Sequence, residues 1–292
     1  FRSQTSNFGS SSDGSSVAAT ENKNHFAVAR LNGQWKRKLS SDSNMEWKFN
    51  VGGWNSHNEY QQTATNYQLQ LLPYIKENSH VQDRSANVGG KYTNVMGGGH
   101  QWVSGGEVES VRRTQSVVGQ YQIRSGDADF KAGSLRYAMY SQDEWQLTPH
   151  WATHLGARYE GLTTEGNTSD GDVTSHSSIF TPLLHAMWRP DPDSRDQVRM
   201  SLTRSYKTPT LFNLVAKTAL SREANSPTRP DRISNPGLKP ELATGIDVAV
   251  ERYLSEGGVL SANIFRRNIS DLIRYVTSER YDTVWAPGQR RF

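Results

Sequence analysis

The chain has 292 residues, 34% of them hydrophobic, a net charge of +4 and no cysteine. It holds no run of about 18 apolar residues, which excludes a helical membrane span, and without cysteine it can form neither disulfides nor thiolate metal sites. Lys and Arg are scattered instead of gathered into a basic stripe, so no nucleic-acid face is expected.

Mean hydropathy is low, -0.74, yet the chain carries 8 Trp, 12 Tyr and 24 Gly. A β-barrel wall reconciles these values, because its lipid face takes only every second residue and its lumen is polar. The same composition also fits a disordered or a soluble β protein. Pattern along the chain must decide.

Residues 1–24 are rich in Ser, Gly and Asn and read as the end of a loop. From His25 the chain alternates, with Ala27, Ala29, Leu31, Gly33 and Trp35 set against Arg30, Asn32, Gln34 and Lys36. After a Ser-Asp turn at Asp42 the alternation restarts with Met45, Trp47, Phe49 and Val51 against Glu46, Lys48 and Asn50, which makes a hairpin with one apolar and one polar face. Further hairpins are expected to turn at Gly98, Pro149, Asp193 and Gly257. Five short turns give about ten strands, with one or two more at the ends. Between them lie polar stretches at residues 55–83, 112–133, 161–177 and 205–240, and another begins after Asn268, all expected as long irregular loops. Short turns alternating with long connections are the pattern of an outer-membrane barrel, and a compact soluble domain rarely carries several loops of that length.

Trp35, Trp47, Trp102, Trp145, Trp151 and Trp188 each fall near a short turn, so they gather into one interfacial band. Leu31, Trp47, Phe49, Val88, Leu155, Leu184, Met200, Val248 and Ile264 are expected on the lipid face. Lys48, Asn50, Lys91, Glu107, Glu109, Arg136, Arg158, Asp247 and Glu251 are expected on the inner face.

Catalytic constellations are absent from the sequence. His150 and His154 are four residues apart, about 13 Å on a strand, too far to share a metal. The acidic turn at residues 191–196 lacks the glycine and closing glutamate of a calcium loop. Gly97–Gly99 is not followed by a phosphate-binding lysine on a helix, and no serine has the setting of a nucleophile elbow. No enzyme and no cofactor are expected.

The segment from Ser201 to Glu251 carries the most specific signal. Val198, Met200 and Leu202 alternate in a strand, Pro209 ends its pairing, and a stiff turn from Asn235 to Pro240 leads into a strand with Leu242, Ile246, Val248 and Val250 on one side. Its Arg-x-x-x-x-Pro-x-x-x-x-Leu stretch, Arg204 to Leu214, followed by Asn-Pro-Gly-Leu-Lys-Pro-Glu, Asn235 to Glu241, resembles the C-terminal half of the barrel in TonB-dependent outer-membrane receptors. The segments at residues 140–160 and 261–273 resemble the same family's strands.

The resemblance implies an all-β fold, an antiparallel transmembrane β-barrel fragment of about 10–12 strands from a 22-stranded barrel, with short periplasmic turns and long extracellular loops. Residues 1–292 would form one partial barrel domain, with the plug domain and the closing strands outside this chain. It implies TonB-dependent uptake of a scarce nutrient, usually a ferric siderophore or similar metal chelate. The partners implied are the TonB complex, reached through the plug, and outer-membrane lipid, with location in the bacterial outer membrane. Ligand groups are sought at the outer strand ends and loops, at Trp54, Tyr60, Tyr67, Arg112, Arg113, Arg222 and Tyr275, where aromatic and cationic side chains suit anionic, catecholate or hydroxamate chelates. A passive porin-like barrel and a secreted soluble β-rich adhesin or binding module are the alternatives.

Overall fold

In the computed structural model, the described residues are 2–11, 14–66, 75–121, 124–168, 171–215, 225–255, 257–281 and 290–292. They form one antiparallel sheet of eleven strands in sequence order, and a separate two-stranded ladder of Arg280–Tyr281 with Arg290–Arg291. The strands are β1 (Arg2–Ser11), β2 (Gly14–Lys38), β3 (Ser43–Asn66), β4 (Ile75–Met96), β5 (His100–Tyr121) and β6 (Arg124–Gln146). They continue as β7 (Trp151–Thr168), β8 (Gly171–Trp188), β9 (Gln197–Lys207), β10 (Glu241–Tyr253) and β11 (Val259–Ser270). A five-residue helix, α1 (Leu211–Val215), lies between β9 and β10. Every strand pairs with its neighbour in sequence, and β1 and β11 are the sheet's two edges.

All five expected turns fall between strands. Gly98 and Gly99 have φ of 79° and 82°, and Gly257 has 85°, a region that other residues rarely enter. The turn into β10 is closed by Asn235, whose Oδ1 accepts from Gly237 N–H at 2.9 Å.

Two expectations are corrected. Residues 1–24 are not a loop: β1 and the start of β2 pair from Arg2↔Lys23 to Ser11↔Gly14. Most of the stretches at 55–83, 112–133 and 161–177 are strand as well, since β3 runs to Asn66, β4 starts at Ile75, and β5 and β6 remain paired out to Tyr121↔Arg124. The physical reason is that alternation reports burial, not pairing. A tilted strand crosses the bilayer core in about 9–11 residues, whereas β2–β6 are 22–25 residues long. Beyond the membrane both faces meet water, so the apolar pattern fades while the backbone ladder continues. Among the described residues, the 205–240 connection is largely irregular, and so are residues 271–279 after β11, where another irregular stretch is expected.

Directly opposed residues share a face, so the register assigns the two faces without further assumption. Leu31↔Val51, Phe49↔Val88, Val88↔Val108 and Val108↔Tyr137 place one apolar row, and Leu155↔Leu184, Leu184↔Leu202 and Met200↔Val248↔Ile264 carry it to β11. All nine residues expected on the lipid face lie on this side. So do the six turn-proximal tryptophans: Trp35 is opposite Trp47, and the Trp151 and Trp188 rings lie 6.2 Å apart. Much of this side is exposed, with Leu31 at 64% and Ile264 at 79%. So wide an apolar surface needs lipid to cover it.

Glycines on this face receive aromatic rings from the next strand. A Cβ on Gly33 would run into Phe49, one on Gly90 would meet Trp47, and one on Gly161 would run into Tyr137. Each is a directly opposed pair, so the ring covers the bare backbone beside it.

Candidate functional site

The opposite face is a belt of paired charges. On β3, Glu46 holds Lys48 at 2.8 Å, with Lys91 at 3.7 Å and Lys36 at 3.8 Å. At the centre, the Arg136 guanidinium reaches Glu107 at 2.7 Å, Glu109 at 2.8 Å and Glu160 at 3.1 Å. Arg158 bonds Glu107 and Glu160, and its guanidinium carbon lies 5.6 Å from the Tyr140 ring centroid. Toward β11, Asp247 takes Arg267 at 2.7 Å and Ser201 at 2.9 Å, while Glu251 takes Arg199 and Gln197. The residues expected inside are here, and Asn50 bonds Asn32 across the β2–β3 pair. At the centre and toward β11 the charges are largely neutralised, whereas three lysines share the single Glu46 carboxylate and leave net positive charge at the β2–β4 end. The belt is scaffold.

Above it, three residues stand abreast on β3, β4 and β5: Trp54 opposite Asp83, and Asp83 opposite Arg113. Arg113 donates from Nε to Asp83 Oδ1 at 2.8 Å and from Nη2 to Oδ2 at 2.5 Å. Its guanidinium carbon is 5.8 Å from the Trp54 ring centroid. The carboxylate therefore fixes the fork, and Nη1 has no hydrogen-bond partner among the described residues. The group combines an aromatic plate with a cation whose free edge is oriented. With the guanidinium charge balanced by Asp83, the group offers a flat ligand an aromatic face and a hydrogen-bond donor at Nη1.

Described parts of the 205–240 connection, α1 and Leu238, pack inward beside this row. Leu214 of α1 is 3% exposed and packs with Phe130 and Ala132 of β6, joined by Leu211, Leu238 and Val173. Ala132 is opposite Arg113, so the helix sits on the inner face and not outside the wall. Asp231 and Arg291 close a bidentate pair at 2.7 and 3.0 Å, and Asn225 bonds Phe292, which ties this connection to the end of the chain.

The seven expected ligand residues are dispersed. Trp54 and Arg113 come together. Tyr60 shares their face further along β3 and donates to Gln62 at 2.7 Å. Arg112 is on the opposite, outward face, because neighbouring residues on a strand alternate. Tyr275 lies after β11, 3.3 Å through its hydroxyl from Asn213 Oδ1 and 5.9 Å through its ring centroid from the Arg232 guanidinium carbon. Tyr67 and Arg222 lie outside the described residues.

Sequence reasoning missed Asp83, although the Gly97–Gly99 turn fixes which β4 residue meets Arg113. It also missed the cross-strand pair His154–His185, ring centroids 5.9 Å apart, lining a groove of about 720 Å³ with Glu144, Ser201 and Asp247. His150 is elsewhere, bonded to the Arg189 carbonyl at 2.9 Å. Among the described residues, no group of three or more His, Asp or Glu is arranged to hold a metal.

Comparison with known proteins agrees with this architecture. Residues 1–291 match the family model described as TonB dependent receptor-like, beta-barrel. No curated protein sequence matches. Among solved structures, the chain resembles the unliganded ferric citrate transporter FecA at 15% identity and a TM-score of 0.51, over 94% of this chain and 38% of that one. It resembles the copper transporter OprC at 12% identity and a TM-score of 0.51, over 89% and 50%. The siderophore receptor PiuA from Acinetobacter baumannii aligns at 12% identity and a TM-score of 0.43, over 90% and 56%. The chain thus spans roughly half the length of the structures it matches, and FecA and OprC share its fold.

Proposed function

Because the chain belongs to the TonB-dependent receptor-like β-barrel family and lies in the bacterial outer membrane, we propose that it forms part of the wall of a receptor that imports a scarce metal chelate, with a ferric siderophore as its cargo. The observation that carries this reading is the inward docking of α1 and Leu238, from the 205–240 connection, beside the Trp54–Asp83–Arg113 row. A passive pore needs neither a roof seated on its inner wall nor a cation–aromatic pair held in fixed orientation. The paired belt below fits a wall that faces a plug domain and bound water, and the energy for release would come through the TonB complex. The role is binding and transport, without covalent chemistry.

In this account the chelate is captured at the outer ends of the strands. Trp54 offers its ring to a planar ligand face, and the Nη1 edge of Arg113, held by Asp83, donates to an acceptor oxygen of the chelate. The roof slows escape. The test is growth on single iron sources (catecholate, hydroxamate and citrate chelates, with haem, copper and cobalamin as controls) in cells whose only such receptor is this protein. Deletion of residues 219–231 should leave the barrel assembled and abolish growth on one iron chelate. Unchanged growth on every source would remove the connection from the binding account.

A further inference from the structure

Arg84 and Arg112 stand directly opposite each other on β4 and β5, on the face of Val88 and Val108. Like charges in that position repel. Both are exposed, and neither makes a hydrogen bond or ion pair among the described residues. Glu165, opposite Gly133 in the same row, and Asp129 further out on β6 are the acidic groups nearest by register, and neither closes an ion pair with them.

Two features suggest what belongs between them. The first is height. Each arginine lies about 13 residues from the Gly97–Gly99 turn, just past the ~9–11 residues a tilted strand needs to cross the bilayer core. On this face the large apolar and aromatic side chains thin out there. Toward the turn the large side chains are Val88, Tyr92, Trp102 and Val108, with Ser104, Ser110 and Asn94 between them; beyond the arginines come Gln82, His80, Thr114 and Ser116, then Val118. The pair therefore stands where the outer leaflet places its headgroups.

The second feature is room. Gly53 is opposite Arg84 and Gly133 is opposite Arg112. A Cβ on Gly53 would lie 3.6 Å from Arg84 Cγ, and one on Gly133 would lie 3.8 Å from Arg112 Cγ. Each stem leans over bare backbone, away from the other arginine. The row Gly53–Arg84–Arg112–Gly133 is a shallow cationic trough open to the membrane.

We propose that this pair is a headgroup site for a phosphorylated lipid of the outer leaflet, with one phosphate held between the two guanidiniums. Guanidinium and phosphate match in charge and in bidentate geometry, and the bound anion converts the repulsion into attraction. Asp83 and Arg113, in the neighbouring row, point to the other face and are already paired, so this site is separate from the cargo site.

The test uses the whole protein, purified in a non-ionic detergent, and follows thermal unfolding with added lipid. Lipid A carrying two phosphates should raise Tm by at least about 3 °C. The same lipid stripped of phosphate, and inorganic phosphate alone, should not. Arg84→Gln combined with Arg112→Gln should lose most of the shift, while Arg84→Lys with Arg112→Lys should keep about half. Should the double Gln variant not assemble, Arg112→Gln alone should lose at least half. Full retention of the shift in the Gln variants would overturn the proposal. An equal shift from inorganic phosphate or from stripped lipid would overturn it too, by pointing to a free anion or to the acyl chains.

Discussion

Arg113 donates two hydrogen bonds to the Asp83 carboxylate directly across the β4–β5 ladder, at 2.8 and 2.5 Å. The pairing matters because Asp83 also stands opposite Trp54, so one carboxylate holds the cation against the indole. Asp83→Asn keeps the shape and removes the charge that orients the fork. Uptake at limiting chelate should fall roughly tenfold, the equivalent of about 1.4 kcal/mol, with the amount of assembled barrel unchanged. Arg113→Lys should do at least as much harm, since lysine cannot form the bidentate contact. Initial-rate transport in whole cells, normalised to receptor in outer membranes, measures both.

Leu155 and Arg158 lie on opposite faces of β7, so they separate lipid exposure from lumen exposure. A charge on the lipid face costs about 2–4 kcal/mol at the bilayer midplane and less toward the interfaces. Leu155→Arg should therefore reduce the heat-modifiable, folded form in outer membranes strongly. Arg158→Leu removes one partner from Glu107 and Glu160, but Arg136 still bonds both, so assembly should fall far less. Equal losses would mean that the faces are misassigned.

The glycine–aromatic pairs make a packing prediction. Gly161→Val places a branched side chain where the Tyr137 ring now lies. Overpacking of this kind costs roughly 1–3 kcal/mol, to be read from urea unfolding in lipid vesicles. Adding Tyr137→Ala should recover part of the loss, because it vacates the same space. No recovery would show that the ring does not fill it.

Leu214 anchors the roof, so Leu214→Asp should unseat it. A buried carboxylate facing Phe130 and Ala132 would sit in an apolar cluster without a cation to balance it. Protease should then cut the 205–240 connection several-fold faster in intact cells, with the barrel itself protected. Unaltered cleavage would argue that the roof is held by its Asp231–Arg291 and Asn225–Phe292 ties instead.

The membrane-crossing part of each strand was legible because lipid on one side and a polar lumen on the other impose a period of two. Trp47, Phe49 and Val51 against Lys48 and Asn50 show it directly. The outer extensions were not legible, since residues such as Asn58, Ser79 and Gln115 meet water whichever way they face, while their ladder bonds leave no mark on composition. Trp54 and Arg113 could be chosen by residue type. That they meet depended on register, and Asp83, between them, became a candidate only once the Gly97–Gly99 turn was used to count across the hairpin. The same count separates Arg112 from Arg113: adjacent in sequence and alike in chemistry, they face opposite solvents.

The central claim is tested most directly by uptake of iron-55 chelates into cells that carry this protein as their only such receptor, with and without collapse of the proton gradient. The account predicts saturable accumulation of one ferric chelate that stops when the gradient is dissipated and falls in Trp54→Ala and Arg113→Ala. Entry that is unsaturable, indifferent to the gradient and unchanged in both variants would contradict it, and would describe a passive pore.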